Sequence, residues 1–309
     1  MPRRLSGGCL LGEVGLVPAV GFALVPAVGF ALVPACGDPP HDKLSVMDAQ
    51  PDTAQSPQPA LRMTHLTKTF GATRAVDDLS LAVPPGCLFG FVGPNGAGKT
   101  TTLSMATGLL RPDAGQVEVW GHDVWTDPAR TKADLGILPD GLRTFDRLSA
   151  RELLRFCGQL RRMEPEEVER RSTALLDVLG LTEDADKLVC DYSAGMTKKI
   201  GLAVALLHNP RLLVLDEPFE AVDPVSGQTI RGILRRFVAG GGTVVMSSHV
   251  MELVESLCDA VAVISQGRVL AVGRVEEVCD GMSLQDRFVD LVGGPAVGDG
   301  EGLSWLAHS

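Results

Sequence analysis

The chain has 309 residues, with Lys+Arg at 28 against Asp+Glu at 38 and a formal net charge of -10. The length suits one large domain or two modest ones, and the acidic balance supplies no basic footprint, so no nucleic-acid partner is expected. Hydrophobic residues at 45% with charged residues at 21% exclude global disorder and a polytopic membrane protein.

Residues 1–60 differ from the rest. The octad AVGFALVP occurs at 19–26 and again at 27–34, and no charge falls between Val14 and Gly37. Such a stretch is long enough to cross a membrane as a helix, and Arg3 and Arg4 precede it as in an anchor. Pro18, Pro26 and Pro34 interrupt it, and each interior proline costs a helix about 3 kcal/mol in water. A low-complexity tail, or translation starting at Met47 or Met63, are the other readings. Residues 38–60 have the Pro, Asp and Gln content of a flexible linker. A folded domain is expected over 61–293, with a flexible tail over 294–309.

Within that domain, LSLAVPPGCLFGFVG predicts two apolar strands split by a PPG turn. TTLSMATGLL predicts a helix, and QVEVWG a strand. Ser149 and Glu152 form a capping box for the helix RELLRFCGQL. Pro165 opens the helix EEVERRSTALLDVLG. RLLVLDEP reads as a strand covered on both faces. Asp223 caps a helix whose first residue is Pro224. TVVMSS is a strand, HVMELVESL a helix, and DAVAVISQGRVLAVG a hairpin turned at Gly267. Alternating strands and helices predict an α/β fold with a mostly parallel sheet flanked by helices. The seven cysteines are odd in number and form no CxxC or zinc-ligand pair, as in a reducing compartment.

Two motifs carry chemistry. GPNGAGKTT comprises Gly93, Pro94, Asn95, Gly96, Ala97, Gly98, Lys99, Thr100 and Thr101. It follows a strand and opens a helix, the context in which backbone N–H groups cradle nucleotide phosphates. Lys99 is expected as a mobile charge between the β- and γ-phosphates, and Thr100 as a hydroxyl for Mg²⁺. Asp216 lies at the carboxyl end of an apolar strand, where ligands of α/β sheets bind. It is expected to hold Mg²⁺ through water. Glu217, next to it, is expected to act as general base on a water aimed at the γ-phosphate.

Further motifs resemble the ATP-binding subunit of an ABC transporter, of the ABC-2 exporter type. YSAGM resembles the family's LSGGQ signature, with Ser193 and Gly195 retained and Tyr192, Ala194 and Met196 departing from it. EAVDP resembles the D-loop and keeps Asp223. His249 matches the switch histidine, and Phe70 stands where an aromatic stacks on adenine. The order of these motifs holds over roughly residues 61–272. The resemblance implies a P-loop NTPase core with a small antiparallel β subdomain and a helical subdomain. It also implies ATP and Mg²⁺ as ligands, with Lys99, Glu217 and His249 catalytic. Ser193, Ala194, Gly195, Met196 and Asp223 would act in trans, in a homodimer or heterodimer of such subunits. A separate integral membrane permease would hold the complex at the cytoplasmic face of the membrane, for export. One departure is Asp140, where the family carries glutamine; it is expected to approach Mg²⁺ through water. A soluble ABC-type ATPase acting on something other than a permease is the rival. The interval between Lys99 and Ser193 lacks the sustained heptads that repair and chromosome ATPases carry. A small-molecule kinase, the second rival, would need neither the signature nor His249.

Overall fold

The computed structural model describes residues 58–141 and 147–293. The expectations for the N-terminal extension up to residue 57 and for the tail over 294–309 lie outside the described residues.

The chain opens with a long hairpin, β1 (Leu61–Phe70) and β2 (Thr73–Val83), before β3 (Leu88–Val92) and α1 (Lys99–Ala106). β4 (Ala114–Val119), β5 (His122–Asp123), α2 (Pro128–Asp134) and β6 (Leu135–Leu138) follow. A helical stretch holds α3 (Ala150–Leu160), α4 (Pro165–Val178) and α5 (Ala194–Leu206). Then come β7 (Leu212–Leu215), α6 (Pro224–Ala239), β8 (Thr243–Ser248) and α7 (Met251–Leu257). The hairpin β9 (Ala260–Ser265) and β10 (Arg268–Arg274) leads into α8 (Val275–Cys279) and α9 (Leu284–Val292).

These strands make two sheets. One is antiparallel and four-stranded, in the order β2-β1-β4-β5; the other has six strands, in the order β10-β9-β3-β8-β7-β6. All neighbours in the second sheet are parallel except β10, which closes one edge antiparallel to β9. The expected α/β core with a small antiparallel β part and a helical part is what forms.

The central strands are buried along their whole length, and their side chains alternate between two cores. Leu88, Val92, Leu213, Leu215, Val244 and Met246 enter the core shared with α3, α5 and α7. Phe89, Phe91, Leu212, Val214 and Val245 enter the core shared with the antiparallel sheet and α1. The parallel sheet is therefore the middle of three layers. The helical part is started by the expected capping box: the Ser149 N–H donates to Glu152 Oε2 at 2.8 Å, and the Glu152 N–H to Ser149 Oγ at 3.3 Å.

Parallel pairing aligns the carboxyl ends of four strands. Val92 pairs with Ser248, Leu215 with Met246, and Leu138 with Leu215. Whatever follows β3, β6, β7 and β8 must emerge on one edge of the sheet. Those followers are the phosphate loop, Asp140, the Asp216–Glu217 pair and His249.

Candidate nucleotide site

The loop after β3 is built to leave donors free. Gly98 is the N-cap of α1 in the left-handed region, at φ 98, and no side chain caps the helix. A Cβ on Gly98 would lie 2.4 Å from the Ala75 carbonyl oxygen, so only glycine fits the turn and the contact. The leading N–H groups of α1 thus have no side-chain acceptor, the arrangement that suits an anion.

Lys99 is not the mobile charge expected from sequence. It is only 6% exposed. Its Nζ donates to the Gly93 carbonyl at 2.8 Å and to the Pro94 carbonyl at 3.2 Å. A buried ammonium must find acceptors, and the loop's own carbonyls supply them. The Lys99 Nζ also stands 3.7 Å from Glu217 Oε1.

Asp216 is 4% exposed at the end of β7. Ser247, on β8, links the two acids. Its Oγ donates to Asp216 Oδ1 at 2.5 Å and accepts from the Glu217 N–H at 2.9 Å. Ser247 was missed from sequence, because the pairing of β7 with β8 makes the link. Glu217 has a left-handed backbone, φ 46, which costs a non-glycine residue about 1–3 kcal/mol. This turn aims its carboxylate back over the loop, where Oε2 lies 3.1 Å from His249 Nδ1.

Lys99, Thr100, Asp140, Glu217 and His249 all line one open cleft of about 510 Å³. Asn95 and Thr101 line it as well, as does Ala75, which sequence reasoning overlooked. Thr100, Asp140 and Asp216 also share a small cavity of about 40 Å³. A hydroxyl and two carboxylates around one void fit Mg²⁺, which keeps much of its water and takes few protein ligands. Among the described residues no group of three or more His, Cys, Asp or Glu side chains is assembled for a metal. Asp140 has a cationic partner in Lys198, whose Nζ is 3.2 Å from its Oδ1.

Other expected residues stand outside this cleft. Phe70, 51% exposed, ends β1 with the Lys68 Nζ 5.7 Å from its ring centroid. It is not among the residues that line the cleft, so stacking would require a base reaching out to it. Ser193 caps α5, accepting from the Met196 N–H at 3.3 Å, with Ala194 as the first helical residue. A Cβ on Gly195 would come within 2.9 Å of the Ala221 carbonyl oxygen, so the signature packs closely on the D-loop. Asp223 caps α6, accepting from the N–H groups of Ser226 and Val225. The Ser226 contacts, with the Val225 N–H, hold its carboxyl below the usual range. Tyr192, the departure that opens the signature, is buried and donates to the Asp184 carbonyl at 2.7 Å. Burial, reinforced by Asp184 and Asp186, pushes its phenol up to about 12.

Comparisons agree with this geometry. The family described as ABC transporter matches residues 76–220. The chain is 36% identical over 219 residues to the linearmycin resistance ATP-binding protein LnrL of Bacillus subtilis (strain 168), covering 71% of this chain and 70% of that one. It is 34% identical over 238 residues to the Nod factor export ATP-binding protein I of Rhizobium meliloti, covering 77% of this chain and 71% of that one. A solved ATP-binding subunit of an ABC transporter superposes with a TM-score of 0.71 at 26% identity, over 75% of this chain and 99% of that one. The protein belongs to the ABC transporter family, among its ATP-binding subunits.

Proposed function

We propose that the protein binds ATP with Mg²⁺ at the strand-end cleft and hydrolyses it to drive a separate integral membrane permease engaged in export. The observation that carries the proposal is the meeting of Lys99, Glu217 and His249 at the phosphate loop. The N–H groups opening α1 take the phosphates. Lys99 exchanges the Gly93 and Pro94 carbonyls for phosphate oxygens. Glu217 accepts the proton of the attacking water, and His249, in contact with that carboxylate, orients it. Thr100 and Asp216 would hold Mg²⁺, with Asp140 beside them, and the ion would offset charge on the phosphates. Ser193, Ala194, Gly195, Met196 and Asp223 serve the nucleotide of a second subunit, in a homodimer or a heterodimer. Their position away from the cleft lining of their own chain supports that reading. The protein works at the cytoplasmic face of the membrane, held there by the permease.

One fact supports the transport role over a soluble ATPase: the relatives are named for resistance and for export. Among the described residues no helix is long and apolar enough to cross a membrane. The test is ATP binding and phosphate release by the full chain, followed by affinity capture from membranes. The expected result is Mg²⁺-dependent hydrolysis and recovery of an integral membrane protein. Absence of nucleotide binding would overturn the site, and hydrolysis without any membrane partner would overturn the transport role.

A further inference from the structure

Lys198 has no part in the chemistry above, yet its side chain is only 12% exposed. An ammonium is strongly hydrated and is drawn inward only to partners. Its Nζ donates to Asp140 Oδ1 at 3.2 Å and to the Asp216 carbonyl at 3.3 Å. Asp140 Oδ1 also accepts from the Gly141 N–H at 2.9 Å. The Asp216 N–H donates to the Leu138 carbonyl at 2.7 Å. One cation on the signature helix α5 therefore ties together the segments that leave β6 and β7. Those segments carry the two carboxylates that share a cavity with Thr100.

We propose that Lys198 is a positioning residue: it neutralises Asp140 and holds that carboxylate at a fixed place beside the Mg²⁺–nucleotide site. This rests on the nucleotide reading of the cleft. A carboxylate there without a counter-charge would repel the polyphosphate and attract the divalent cation. The Lys198 ammonium sets both effects to a compromise. Because the same ammonium grips the Asp216 carbonyl, the start of the signature helix and the metal-holding strand end move as one unit within the chain.

The test is titration of the full chain with a fluorescent ATP analogue, once with Mg²⁺ and once with EDTA. The quantity read is the ratio of the Kd in EDTA to the Kd in Mg²⁺, which a merely structural role would leave unchanged. Lys198→Met exposes the carboxylate, and the ratio is expected to rise about 3–10-fold. Asp140→Asn leaves the ammonium without a counter-charge, and the ratio is expected to fall by a similar factor. The double variant and Lys198→Arg are expected to return close to the wild-type ratio. The two single variants shift in opposite directions, so either one suffices if the other fails to fold. Unchanged ratios, or two single variants that shift the ratio in the same direction, would overturn the proposal alone. A wild-type protein that binds ATP in neither condition would overturn the nucleotide reading and this proposal with it.

Discussion

The strand-end half of the site and the signature half are built differently. Lys99, Thr100, Asp216, Glu217 and His249 come from separate elements, and the parallel sheet gathers them at one edge. Their partners are one another: Ser247 joins the two acids, and Glu217 touches both Lys99 and His249. In the signature half each group is spent on its own backbone. Ser193 and Asp223 cap the helices they begin, and Gly195 packs on Ala221. The first half is a cluster of side chains bonded to one another. The second is a scaffolded surface whose helix start is held by its own caps. The contrast supports the proposed role of the second half at the nucleotide of another subunit.

The largest effect expected from breaking this contrast falls on the first half. Glu217→Gln keeps the shape of the site and removes its base, so turnover should drop by about 10²–10⁴-fold while ATP affinity stays near wild type. Single-turnover phosphate release beside a binding titration checks it, and full turnover would end the base assignment. The counterpart in the second half is Gly195→Val. A branched side chain cannot fit 2.9 Å from the Ala221 carbonyl oxygen, so the signature must shift. Steady-state hydrolysis should fall by about 10²-fold, a loss of the size that misplacing groups causes. ATP binding by the isolated chain should persist. Lost binding would show that the two halves are one unit.

Smaller effects test how the helical part is tied down. His208, just past α5, reaches the Leu135 carbonyl at 3.1 Å. Burial, with Arg161 adding to it, lowers its pKa to about 4. The unfolded chain takes up this proton near 6.5, so the stabilisation is complete above that pH and is lost as pH falls toward 4. Discounted for the solvent the ring still sees, the loss is about 2 kcal/mol. Thermal melts between these pH values should show it, and His208→Gln should flatten the slope in that window. Ser149→Ala removes half of the capping box and should cost about 1 kcal/mol, read by denaturant midpoint, with hydrolysis little changed.

Sequence patterns exposed most of the first half because its signals are local. GPNGAGKTT and the apolar run before Asp216 each fit within a few consecutive residues. The strand β6 was not read, because four largely buried residues at the edge of the sheet show no periodicity of their own. Ser247 and Lys198 stayed invisible for a related reason. Their partners lie far away in the chain and meet them only through strand pairing or helix packing. Lys99 stands out in its motif, but its restraint by Gly93 and Pro94 depends on how the loop folds back.

The pairing of Val92 with Ser248 also makes the sheet a ruler. Each residue added to or deleted from β8 moves everything beyond it by about 3.3 Å and turns it to the opposite face. A one-residue deletion in β8 would carry His249 away from Glu217 and send Ser247 into the wrong core, although every side chain of the reaction centre remained in the chain. Length in β8 is therefore a functional constraint in its own right. Insertions should be tolerated in the loops at the opposite end of the sheet and rejected between Thr243 and His249.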